Sequence, residues 1–384
     1  RALMSSLDYS APLRQGIFAT LSHPIMATKA AKEMFKKSFS QKEYDRWFFE
    51  LEKYNPKYKD MKDLGLALTD STNPNVKANE ELFMSNLAEK IPVAGAIVKG
   101  SERGYSMFLN KIRVDLYDLF STSMKDRGLT PQNAPKQYKE MVNYINSSTG
   151  RGSVSKKIEP LIPIMNSVFF SPRLIASRIN MLTYLGQMAY RHKTVPKEIR
   201  NAYFRDMAAF LTVGGTIMAL ANLNGADVED DPRSSDFGKI KEGNTRWDIW
   251  GGFQPYVRAI SQVATGTRKS TSGKFYDLDK KTFGGNSRAG VLGSFVRGKL
   301  APVPSAALDL LMHETMGGDQ IKYQWGGGKD NEQTMDEFLL NHLAPMTISG
   351  MKEALEDQGS KAWLTVLPPS MFGVGVQTYD NKKK

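Results

Sequence analysis

From Met207 to Ala226 no side chain carries a formal charge, in a chain where charged residues make up 24%. Such a run is nominally long enough to cross a bilayer, which takes ~20 apolar residues. Thr212, Gly214, Gly215, Thr216, Asn222 and Asn224 dilute it, and only residues 207–221 are strongly apolar. Runs of that strength are more often buried core helices, and a helix covered by protein in the assembled state is expected over 207–221. Conditional membrane insertion is the alternative.

The run ends in an acidic turn, Asp227, Glu229, Asp230 and Asp231, closed by Pro232. There the hydrophobic period changes. Residues 237–241 and 245–250, joined around Glu242-Gly243-Asn244, read as a β-hairpin. Trp247 and Trp250 lie in it and Phe253 follows; bulky aromatics at such a joint anchor packing. Strict alternation puts Trp247 and Ile249 on one face and Trp250 on the other. Burying both indoles therefore needs cover on both faces, or a bulge at Trp250-Gly251.

Upstream the chain reads as successive helices. Ser10-Ala11-Pro12 and Ser171-Pro172 each pair a capping serine with a first-turn proline. Ser40-Gln41-Lys42-Glu43 is a capping box for a helix through Trp47, Phe48 and Leu51, ended at Asn55-Pro56. A helix is expected over 79–90, after a loop at 71–77. The longest should run from Pro92 to Gly128, with Tyr105, Leu109, Ile112, Leu116 and Leu119 as one apolar stripe. Residues 134–146 form another, and 147–155, with Gly150 and Gly152, read as a flexible joint. Residues 158–170 are apolar but broken by Pro160 and Pro163. Over 172–191 the expected buried face is Ile175, Ile179, Leu182, Leu185 and Ala189.

Downstream, residues 254–265 should be a helix burying Tyr256, Val257, Ile260 and Val263, and 268–278 a second hairpin around Ser272-Gly273. Glycine loops at 284–285 and 326–328 separate short helices near 291–300, 305–313, 336–343 and 348–355. The fold class is mainly α, a multi-helical bundle with small β-hairpin insertions in the C-terminal part. Three regions follow: helical 1–150, helical 151–226 around the apolar run, and an α+β region, 227–384.

No catalytic constellation stands out. The chain has no cysteine, which excludes disulfides and thiolate metal sites. His23, His192, His313 and His342 lack zinc spacing, and Gly326–Asp330 lacks the phosphate-loop spacing and a feeding strand. The acids at 227–231, and Asp277 with Asp279, could hold a divalent cation but miss the calcium-loop spacing, and the first group reads as a solvated turn that ends the apolar helix. No cofactor and no enzyme activity are expected, although unaligned carboxylates leave a glycosidase pair open. A net charge of +12 favours phosphate or anionic lipid, but the lysines are dispersed and Lys382–Lys384 reads as a frayed tail. Arg246, Arg258, Arg268 and Lys269 lie near Trp247, Phe253 and Tyr256. Such interleaving suits single-stranded nucleic acid, while packing of a hairpin on a helix is its commoner cause.

Six short segments recur in one order: Ser-Ala-Pro-Leu-Arg-Gln-Gly at 10–16, Phe-Phe-Ser-Pro-Arg at 169–173, Asp-Asp-Pro-Arg-Ser-Ser-Asp-Phe-Gly-Lys-Ile at 230–240, Trp-Gly-Gly-Phe-Gln at 250–254, Arg-Gly-Lys-Leu-Ala-Pro at 297–302, and Gly-Val-Gly-Val-Gln-Thr-Tyr at 373–379. In these the chain resembles the C-terminal region of phage large polyvalent proteins and related virion-internal, ejected proteins. The resemblance implies a protein held in the capsid or portal–tail channel and delivered with the genome to the host envelope or cytoplasm. It brings no catalytic residues. The start at Arg1, without a secretory signal, fits a fragment or cleavage product of a longer chain. Expected partners are further copies of the chain, portal or internal virion proteins, non-specific DNA, and host membrane after ejection. Copies are expected to pack by Tyr105, Leu109 and Ile112, or by the tail 368–379 around Phe372. The alternatives are a membrane-associating conduit component and a cell-wall or nucleic-acid enzyme.

Overall fold

The computed structural model describes residues 9–70, 92–280, 287–316, 318–327, 332–343 and 351–379. The expected helix at 79–90, the glycine pair 284–285 and the lysine tail lie outside them. The chain is mainly α, with small β insertions in its C-terminal part.

The first half is built round one long helix. Helices α1 (Ile17–Ser22), α2 (Pro24–Ser38), α3 (Gln41–Tyr54) and α4 (Tyr58–Asp63) precede α5 (Pro92–Asp126), and α6 (Pro135–Ser148) follows it. Half of the capping box forms: the Glu43 N–H donates to the Ser40 hydroxyl at 3.2 Å, whereas the Ser40 N–H donates to the Lys37 carbonyl and the Glu43 carboxylate pairs with Lys36 and Arg46. Gly128 turns left-handed (φ 77°) and stops α5. Of the predicted stripe, Leu109, Ile112 and Leu116 are buried, Tyr105 is half-buried and Leu119 is exposed. However, α5 also buries Met107, Phe108, Val114 and Tyr117, so one stripe was too narrow a reading. The cause is position: α2, α6 and α3 all pack on this helix.

Polar groups stitch that core. Arg113 is fully buried and donates to Thr149 Oγ1 (2.9 Å), the Ala67 carbonyl (2.6 Å) and the Thr149 carbonyl (2.8 Å). Burial pushes its guanidinium down to about 10. Asn110 bonds the backbone of Thr69 in both directions, at 2.9 and 2.7 Å.

Two expectations fail in this half. Ser10-Ala11-Pro12 starts no helix: residues 11–16 are turns, and α1 begins only after Gly16. A Cβ on Gly16 would fall 2.8 Å from the ring of Phe108, so this glycine lets the turn close over α5. The stretch 147–155 is no flexible joint over its first part either. Ser147, Ser148 and Thr149 are buried, Gly152 donates to the Arg173 carbonyl at 2.9 Å, and the Ser177 backbone occupies the space of its missing Cβ. Here two helices meet closely.

Helices α7 (Ile162–Val168), α8 (Pro172–Tyr190) and α9 (Lys197–Leu223) come next, with Ser171 at the N-cap of α8. Met181, Tyr184, Met188, Ile199, Tyr203 and Phe210 share one core with Phe108 and Ile112. The face of α8 was misread. Ser177, Arg178, Met181, Tyr184 and Met188 are inside, while Ile179, Leu185 and Ala189 are exposed. Arg178 is drawn in by the carbonyls of Arg14 and Gly251 and by the Phe253 ring, 4.2 Å away. Apolar periodicity has no sight of such bonds.

The core-helix expectation for 207–221 fails within the single chain. Helix α9 buries one seam, Ile199, Ala202, Tyr203, Asp206, Phe210 and Gly214, and past Gly214 it buries nothing.

Strands β1 (Asp227–Val228), β2 (Lys239–Glu242) and β3 (Thr245–Asp248) follow. The hairpin turns at Gly243-Asn244, with Gly243 left-handed (φ 58°) and Glu242 opposite Thr245. The acidic turn is more structured than expected: Asp227 opens β1, Glu229 pairs with Lys269 at 2.7 Å and Asp231 with Arg233 at 2.9 Å. Then come α10 (Gln254–Thr265), the small hairpin β4 (Thr267–Lys269) and β5 (Phe275–Asp277), α11 (Arg288–Arg297) and α12 (Pro302–Met312). In α10 the buried residues are Gln254, Tyr256, Ala259 and Gln262, whereas Ile260 is exposed. Gln262 is held inside by the Arg233 carbonyl at 2.7 Å.

A parallel pair, β6 (Gln320–Lys322) with β7 (Glu332–Thr334), was not anticipated. The C-terminal part closes with α13 (Met335–Leu343), α14 (Met351–Gln358), α15 (Ala362–Thr365), α16 (Leu367–Met371) and β8 (Gly375–Thr378). The tail lies extended on its own chain, because β8 completes an antiparallel sheet in the order β1-β2-β3-β8. The two tryptophans are half-buried on different supports. Trp250 packs on Phe210 (5.2 Å) and donates to the Gly238 carbonyl, while Trp247 donates to the Thr365 carbonyl beside α15.

Candidate functional surfaces: an apolar helix face and a basic cleft

The first surface is the outer half of α9. Leu211, Leu220 and Leu223 are 57, 54 and 81% exposed and Ile217 is exposed with them, while Phe204 extends the exposed apolar face into the first half of the helix. Among the described residues this is the one helix long and apolar enough to cross a membrane, and 17% of its most apolar window is buried. At Gly214, its last buried residue, it packs against the Trp250 indole.

Four of the residues expected at packing faces are used within the chain. Leu109 and Ile112 are enclosed by their own chain. Phe253 is buried between Phe18 and Phe210, at 5.2 and 5.5 Å. Phe372 stands edge-on to Phe35 at 6.3 Å.

The second surface gathers the basic residues. Arg246 and Arg258 line a cleft of about 430 Å³ with Arg14, Lys239 and Lys299, between α10, α11 and β8. Arg268 and Lys269 stand apart on β4, Lys269 paired with Glu229. Sequence neighbours thus divide into two pairs.

Two carboxylates answer the five cations, a formal excess of three positive charges. Asp236 pairs with Lys239 and with Arg246, each at 3.3 Å. Asp248 accepts from the Trp250 N–H at 2.9 Å, and burial pushes its carboxyl up against the pull of that bond and of Lys239, Arg14 and Lys299. Arg246 also stacks on the Tyr379 ring at 4.5 Å. Arg258 reaches the Ser235 carbonyl at 3.1 Å; burial, then the charge of Arg268, lowers it. The Lys299 ammonium hangs over the rings of Tyr256 and Phe295, at 4.9 and 5.2 Å. Burial first, then Arg178 and Arg258, bring it down to about 8. Among the described residues neither Lys299 nor Arg14 has a side-chain hydrogen bond or ion pair. The amide nitrogen of Gln254, a residue 3% exposed, is also buried without a partner.

Arg14, Lys239, Lys299, Gln254 and Asp248 escaped sequence reasoning because no local pattern joins them. A signal did exist. Five of the six short segments, at 10–16, 230–240, 250–254, 297–302 and 373–379, each supply cleft residues. The sixth braces it, the Phe170 N–H donating to the Lys299 carbonyl at 2.9 Å.

Among the described residues no group of three or more histidines or carboxylates gathers to hold a metal. No known family, curated protein or solved structure matches this chain.

Proposed function

We propose that the chain is a structural protein of a phage particle interior, delivered with the genome and working by association rather than catalysis. One observation carries this reading: the uncovered outer half of α9, a strip that a folded protein cannot leave in water at high concentration without associating. Inside a particle, other copies of the chain or portal proteins supply the cover. The net charge of +12 suits storage beside DNA, and a chain without cysteine has no cross-link to oppose unthreading through a tail. Mass spectrometry of purified particles tests it. The chain should be present and protease-protected until ejection; its restriction to the infected cell's soluble fraction overturns the reading.

A second reading, a membrane-associating conduit component, is favoured by the charge-free run through α9. Flotation with liposomes separates the two. Binding that Leu220→Lys abolishes supports the conduit; no flotation, together with self-association lost in the same variant, supports packing between copies.

A further inference from the structure

The cleft has the character of a site rather than of a packing defect. Buried cations raise the free energy of a fold unless carboxylates or carbonyls offset them. Here, among the described residues, neither the half-buried Arg14 nor Lys299 has a side-chain hydrogen bond or ion pair, Arg258 has one carbonyl, and the one carboxylate lining the cleft, Asp248, acts on them through its field alone. A chain that needed only to fill this space gains by an apolar side chain at Lys299. Donors with few acceptors line it instead: the guanidinium groups of Arg14 and Arg258, the latter with one carbonyl, the Lys299 ammonium and the Gln254 amide, whose nitrogen is buried and unpartnered.

That set is the complement of an acceptor-only anion. Planar guanidinium groups match phosphate oxygens bidentately, and an ammonium adds a point charge. The cleft volume, about 430 Å³, falls in the range of small-molecule sites. Its lining also includes the apolar side chains of Phe295, Met316 and Val374. A planar organic group can lie there while its phosphate meets the cations. We propose that this cleft binds a phosphomonoester of nucleotide size, held by Arg14, Arg258, Lys299 and Gln254. The inference is independent of the particle reading, since it would stand for a protein of any location.

A phosphomonoester can belong to a free mononucleotide or to the phosphorylated end of a nucleic-acid strand. Calorimetric titration of the whole purified chain distinguishes them, using a purine mononucleotide, its nucleoside, a 5′-phosphorylated short oligonucleotide and the same oligonucleotide without that phosphate. Saturable binding of the mononucleotide but not the nucleoside supports a free nucleotide. Tighter binding of the phosphorylated oligonucleotide supports a strand end. Lys299→Met and Arg14→Gln should each weaken binding roughly tenfold or more, as expected for one charge-assisted contact. Arg268→Gln, outside the cleft, should leave it unchanged. Thermal melts of each variant establish that it is folded. Nucleoside binding as tight as that of the mononucleotide, equal loss in Arg268→Gln, or no saturable binding of any phosphate probe overturns the proposal.

Discussion

The indole of Trp250 occupies the space that a Cβ on Gly214 would need. Helix and hairpin approach so closely there that only glycine fits. Gly214→Ala should therefore cost about 1–3 kcal/mol by overpacking. Its neighbour Gly215 has nothing within 4 Å of the same position, so Gly215→Ala should be neutral or stabilising by up to ~1 kcal/mol through helix propensity. Urea denaturation of the two variants side by side checks the contrast.

Lys299 makes stability depend on pH in a definite direction. Its pKa in the folded chain is about 8, below the ordinary 10.5. Across that window the unfolded chain holds a proton that the folded chain has lost, so this group's contribution to stability rises with pH. At pH 7 the buried charge is a penalty. Lys299→Met should stabilise there by about 1–2 kcal/mol, after allowing for the lost contact with Tyr256 and Phe295, and its advantage should fade above pH 10. Denaturation of both proteins at pH 7 and pH 10 measures this.

Arg113 ties α5 to two other segments through three bonds to uncharged oxygens. Arg113→Ala leaves those acceptors buried and opens a cavity, and should cost about 3–5 kcal/mol. Arg113→Lys should recover less than half of it, because an ammonium cannot reproduce the planar fork. Hydrogen exchange should quicken first at residues 66–69, which Arg113 and Asn110 hold down.

Truncation after Pro369 removes β8 and leaves β3 as an open edge. The shortened chain should aggregate more readily and melt earlier. Trp247, whose strand partner Val376 is then gone, should shift its fluorescence towards the red. An unchanged spectrum and melting temperature would show that the sheet does without its fourth strand.

Local features were legible in the sequence and long-range ones were not. The Ser40 N-cap, the Gly128 stop and the Gly243-Asn244 hairpin rest on neighbouring residues, and the structure has all three. The faces of α8 and α10 were misjudged because Arg178, Gln254 and Gln262 are inside, two of them held by carbonyls far away in the chain. The Trp-containing hairpin was foreseen to need cover on both sides, yet which elements supply it, α9 and α15, is a matter of tertiary contact. Arg246 and Arg258 were singled out; the cleft they line draws on segments from Arg14 to Gln377, which no periodicity connects.

The sheet also imposes an order of events in time. Thr245 and Thr378 meet through their hydroxyls at 3.0 Å although 133 residues separate them. At translation rates of roughly 5–20 residues per second, β3 waits on the order of ten seconds for its partner to be synthesised. The helical first half, whose contacts lie closer along the chain, has what it needs to pack during that interval. The wall formed by Val374, Gly375, Val376 and Gln377 does not yet exist. A nascent chain is thus blind to the cleft's ligand, and only a polypeptide translated through Thr378 gains the means to sense it.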